Sequence, residues 1–166
     1  MGRFEDKISK YLKKNSKEFL IRLRQYGKET ATKNAQESEV LKILQNIDAR
    51  ETLYDDEKFE VPGFRTSKFD LYYKSEKADK LKFIIELKGD DNVGFRGLAQ
   101  AAYYNACVKD GHSFVLLLGK SKGLDFDPFK TKCLKQAAYA SVLFINYSDI
   151  GLEISEKRNI VLFHKQ

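Results

Sequence analysis

Apolar positions at the start of the chain fall at helical spacing: Phe4, Ile8, Tyr11 and Leu12 form one stripe, and Phe19, Leu20 and Leu23 a second. Asn15 and Ser16 between them offer a break and a fresh N-cap, so the pattern predicts one broken helix or two short ones ending near Gly27. The polar run at 28–33 reads as a connection. Asn34 with Glu37 three residues on has the form of a capping box, opening a helix to about Ile47 whose core stripe is Val40, Leu41, Leu44 and Ile47.

From residue 51 the period changes. Short alternating or apolar runs at 57–61, 68–73 and 81–88 predict strands; Pro62 and Gly63 separate the first two, and the polar KSEKAD at 74–79 closes the other two into a hairpin. Asp91 or Asn92 would cap a helix holding Leu98, Ala101, Ala102 and Tyr104 and stopped by Asp110 and Gly111, with Asp90 and Asp91 serving its positive end. HSFVLLLG then reads as a strand buried on both faces, Asp127-Pro128 opens a helix over 128–140, SVLFINY is a further strand, and GLEIS with NIVLFH makes a terminal pair. This order predicts an α/β domain, a central mixed sheet flanked by helices.

Composition narrows the class. With 166 residues, 42% apolar and 33% charged, the chain has material for one core, divided as a helical extension over 1–33, a central body over 34–147 and a C-terminal hairpin over 148–166. No window reaches the roughly 18 to 20 apolar residues of a membrane span, and the first residues do not build a signal-peptide core, so the expectation is a soluble, cytoplasmic protein without a membrane partner. Cys107 and Cys133 lack metal or disulfide-framework spacing, His112 and His164 form no zinc pattern, and no glycine-rich phosphate loop occurs.

The net charge of +6 sits entirely in the first 33 residues, where 10 Lys/Arg face 4 Asp/Glu. Lys7, Lys10, Lys13, Lys14, Lys17, Arg22 and Arg24 would suit a polyanion such as DNA, because neutralising phosphates releases condensed counterions. A solvated lysine-rich helix face has the same composition.

The chemistry concentrates in FIIELKGDD. Side chains alternate along a strand, so Glu86 and Lys88 share one face while Phe83, Ile85 and Leu87 share the other. A hairpin symmetric about residue 77 sets Asp70 opposite position 84 and diagonal to Glu86, about 5 to 8 Å away. Two carboxylates at that separation repel unless a cation such as Mg²⁺ or Mn²⁺ lies between them, with the Leu87 carbonyl as a further oxygen donor and Lys88 beside developing phosphoryl charge. An ordinary ion pair to Lys88 is the other reading of the same residues.

FDLYY, a hairpin, FIIELK and a helix carrying QAAYY together resemble the PD-(D/E)xK nuclease superfamily, in particular its RecB-like branch with a Q-x-x-x-Y motif. The resemblance covers about residues 34–120 and implies a restriction-endonuclease-like core, with Asp70 as the first acidic ligand, Glu86 and Lys88 as E-x-K, and Gln100 with Tyr104 as Q-x-x-x-Y. Phe69 stands where the family has proline. NAQESEVLKIL resembles the acidic helix of archaeal Holliday junction resolvases, which implies an acidic ligand there, with Glu37 and Glu39 as the two candidates. At 100° per residue Glu37 lies about 50° from the apolar stripe and Glu39 about 110°, although Glu37 could instead close on the Asn34 amide. Arg96, one turn before Gln100, is a candidate phosphate contact. The implied activity is Mg²⁺-dependent DNA hydrolysis, exo- or endonucleolytic, with a catalytically inactive nucleic-acid-binding module or a homodimeric junction resolvase as alternatives.

Overall fold

The computed structural model describes residues 3–33, 44–50, 53–54, 58–59, 67–68, 71–75, 82–92, 114–120 and 142–165. Two helices open the chain, α1 (Arg3–Lys14) and α2 (Ser16–Lys33). The break falls at Asn15, as the sequence predicts: its amide and its side-chain Nδ2 both donate to the Tyr11 carbonyl, each at 2.9 Å, while its own carbonyl accepts from Phe19 N. Helix α2 does not stop at Gly27; it continues through the segment expected to be a connection. Gly27 is buried within the helix, and a Gln25-to-Glu29 side-chain hydrogen bond of 3.0 Å spans it. Packing there overrides the ~1 kcal/mol helix penalty of an internal glycine.

The chain is α/β, with a mixed five-stranded sheet. Its strands are β1 (Leu53–Tyr54), β4 (Leu71–Lys74), β5 (Lys82–Asn92), β6 (Phe114–Lys120) and β7 (Val142–Asn146), side by side in that order. β2 (Lys58–Phe59) pairs antiparallel with β3 (Ser67–Lys68), and β8 (Leu152–Ser155) with β9 (Ile160–Phe163). Strand β4 is antiparallel to β5, with Leu71 opposite Ile85 and Tyr73 opposite Phe83, so the hairpin is centred one residue later than the loop symmetry predicts. Strands β5, β6 and β7 are parallel. The helices expected over 34–43, 91–109 and 128–140 lie outside the described residues, except that β5 continues through Asn92, where a helix start was expected.

Strand alternation sorts the sheet into two faces. Leu53, Leu71, Tyr73, Phe83, Ile85, Leu87, Leu116, Leu118, Leu143 and Ile145 form the first, and join one core with Phe4, Ile8 and Leu12 of α1 and Phe19, Leu20 and Leu23 of α2. Tyr73 and Phe83 stack across the ladder at 4.8 Å. Tyr72, Ile84, Leu117 and Phe144 lie on the second face and are buried too, which explains why β5 and β6 read as nearly continuous apolar runs. No helix among the described residues is long and apolar enough to cross a membrane.

Candidate active site

Glu86 and Lys88 lie on the second face of β5, the middle strand of the five. Glu86 is 8% exposed and is flanked in the ladder by Leu117 of β6, which in turn pairs with Phe144 of β7. A carboxylate in such apolar surroundings needs a partner, because burying an uncompensated charge costs several kcal/mol. The Lys88 ammonium supplies one, with Nζ 3.5 Å from Glu86 Oε1 and 21% of its side chain exposed. The ammonium end of the pair is somewhat more exposed than the carboxylate end.

The ladder breaks just beyond Glu86. Leu87 pairs with Leu118, and the next pair joins Asn92 to Lys120, so β5 spends five residue steps where β6 spends two. Bulges of this kind re-aim side chains and are frequent beside functional sites. The Tyr147 hydroxyl donates to the carbonyl of Lys88, inside the bulge. Asp90 accepts from Lys120 Nζ at the end of β6 and from the backbone of Glu156 at 2.7 Å. Asp90 therefore ties strand ends together, and the helix it was expected to serve lies outside the described residues.

Tyr147 was not singled out by sequence reasoning. It stands in a 3-10 turn, Tyr147–Ile150, started by Asn146, whose side chain accepts from Ser148 N at 3.3 Å while its backbone amide donates to Asp149 Oδ2 at 3.2 Å. The N-x-x-D spacing after an apolar strand is a legible cap signal. Nothing in it points to a strand 59 residues earlier.

Asp70, Glu37, Gln100, Tyr104 and Arg96 lie outside the described residues, as do Cys107, Cys133 and His112. Among the described residues no group of three or more His, Cys, Asp or Glu side chains could hold a metal ion. Glu86 and the Leu87 carbonyl are the two expected oxygen donors that fall within them.

The basic N-terminal segment sits in the helical layer on the first face, opposite Glu86. Lys10, Lys13, Lys14 and Lys17 are exposed and Arg24 is half-buried. Lys7 is committed to the turn between β8 and β9, donating to Asn159 O at 3.0 Å and to Asn159 Oδ1. Arg22 corrects the expectation of a surface contact: it is 4% exposed, its Nε donates to Glu18 at 2.7 Å, its two Nη groups donate to the carbonyls of Ile150 and His164, and it stacks over Phe163 at 4.6 Å. Its fork is used to join α2 to the C-terminal hairpin.

The chain matches no protein-family model, no curated protein and no solved structure. The residues and their geometry therefore carry the functional reading.

Proposed function

We propose that the chain is a divalent-metal-dependent deoxyribonuclease on a restriction-endonuclease-like core, hydrolysing phosphodiester bonds with little sequence preference in a soluble, intracellular setting. The observation that carries the reading is the Glu86–Lys88 pair, a buried carboxylate and a mostly covered ammonium 3.5 Å apart on the middle strand, with the strand bulging immediately after it. The described β4–β5 ladder ends at Leu71 opposite Ile85, and in this proposal Asp70 and Glu86 form its next rung. Their carboxylates, the Leu87 carbonyl and Glu37 would hold Mg²⁺ or Mn²⁺, which favour oxygen donors of this kind. When bound, such an ion polarises phosphate and lowers the pKa of water.

Lys88 has its own task, keeping a positive charge beside the phosphoryl oxygens as negative charge develops there. Gln100, Tyr104 and Arg96 would line the same groove. Because the exposed lysines of α1 and α2 lie on the opposite face, they would grip a polyanion that passes round the end of the sheet and would not touch the scissile bond. Lys10, Lys13, Lys14 and Lys17 then supply affinity that is sensitive to salt.

One observation favours a second reading. Glu86 is already balanced by Lys88, as it would be in a nucleic-acid-binding module of the same fold without catalysis. Cleavage of supercoiled plasmid and single-stranded oligonucleotides in Mg²⁺, Mn²⁺ or EDTA separates the two. The nuclease reading expects metal-dependent cutting that Asp70→Ala abolishes and Lys88→Ala lowers about 10²- to 10³-fold. Cutting that survives EDTA or both substitutions contradicts it, and binding at low salt without cutting supports the module. Four-way junctions in the substrate panel, with the mass in solution, test the junction resolvase, which has to be a homodimer to cut two strands symmetrically.

A further inference from the structure

The bulge after Glu86 raises a physical problem. Residues 88–91 lie where the register of the β5–β6 ladder shifts, so the backbone that aims Lys88 departs from the regular spacing of Ile84, Ile85 and Glu86. A stretch released from regular pairing can settle in other registers. A lysine on such a stretch is a long lever, and a displacement of about 1 Å at a reacting group can cost about 10²-fold in rate.

Contacts from three elements meet this segment. The Tyr147 hydroxyl, on a side chain 1% exposed, donates to the Lys88 carbonyl from the turn after β7. Lys120, at the end of β6, and the amide of Glu156, in the turn between β8 and β9, both bind the Asp90 carboxylate. Arg22 holds the same C-terminal unit to α2 through Ile150 and His164, so the anchor is itself anchored. From the other side α1 closes on the bulge, where Glu5 would be in ordinary van der Waals contact, at 3.7 Å, with a Cβ placed on Gly89.

We propose that Tyr147 and Asp90 are positioning residues which clamp the bulged end of β5 and thereby fix Lys88 against Glu86. The proposal rests on the reading of Glu86 and Lys88 as the reacting pair. Neither residue touches substrate: Tyr147 acts through the Lys88 peptide, and Asp90 through the strand two residues further on. The C-terminal hairpin is thus a working part of the site, although its two strands form a separate small sheet.

Tyr147→Phe keeps the buried ring and removes the hydroxyl; Asp90→Asn keeps the shape and removes the charge. Each is compared with the full-length wild type by amide hydrogen exchange, and by kcat and KM on a plasmid substrate in Mn²⁺. Exchange over residues 88–92 is expected to rise about 3- to 10-fold, as the loss of one hydrogen bond permits, with the amides of β6 unchanged. The kcat, taken per folded molecule, is expected to fall about 10-fold or more at constant KM, and unchanged exchange in β6 separates this from a general destabilisation. Wild-type exchange over 88–92 in both variants overturns the clamp, and so does undiminished kcat. A wild type that cuts no DNA removes the nuclease reading, and exchange over 88–92 then decides the clamp by itself. If Tyr147→Phe does not fold, Asp90→Asn carries the test.

Discussion

Arg22 shows how much one side chain can commit. Its guanidinium is out of water, and the carbonyls of Ile150 and His164 and the Glu18 carboxylate are the acceptors it satisfies. Arg22→Ala would leave buried acceptors without their donor and strip the cation from Phe163, so a loss of about 2 to 4 kcal/mol in chemical denaturation is expected. A change within about 0.5 kcal/mol would mean that the hairpin does not depend on this fork. The sequence could not separate Arg22 from its basic neighbours. It lies at the flank of the Phe19, Leu20 and Leu23 stripe, where helical spacing alone leaves burial undecided. Glu86 and Lys88 were legible because strand alternation is a strict rule, and the 3.5 Å pair follows from it. The contacts of Asp90 with Lys120 and Glu156 were not legible, because these partners come from distant parts of the chain.

At the scale of elements, the helix break at Asn15, the β4–β5 hairpin, the β6 and β7 strands and the terminal pair follow from hydrophobic period and turn residues. The passage of α2 through Gly27 and the bulge in β5 do not, since both are set by what packs against them. The turn after β7 offers a test. Gly151 ends it in the left-handed region at φ 71°, and a Cβ there would collide with Arg22 Nη1, which the Ile150 carbonyl holds in place. Gly151→Ala should therefore cost more than the ~1 to 2 kcal/mol of backbone strain alone. Thermal unfolding of this variant beside Arg22→Ala measures the sum, and the double variant should recover the steric part. Strict additivity of the two would show that the collision is relieved in some other way.

In the molecule as a whole, the sheet separates two kinds of surface. The helical layer carries the surplus positive charge on one face, and the Glu86–Lys88 pair faces the other. Composition revealed the basic segment but not the side of the sheet on which it would lie, because that depends on how α1 docks against β5. Replacing Lys10, Lys14 and Lys17 together by Gln should weaken DNA binding alike for all sequences and flatten the plot of log affinity against log salt by about 0.9 for each phosphate no longer neutralised. An unchanged slope in a fluorescence titration would place the polyanion elsewhere. The proposed hydrolysis depends most on a carboxylate of β5 holding a divalent ion beside Lys88. Calorimetric titration of Mn²⁺ into the wild type and Glu86→Gln tests this most directly: one saturable site in the wild type, abolished or weakened at least about 10-fold in the variant, is the predicted result, and no binding, or equal binding by both proteins, would contradict it.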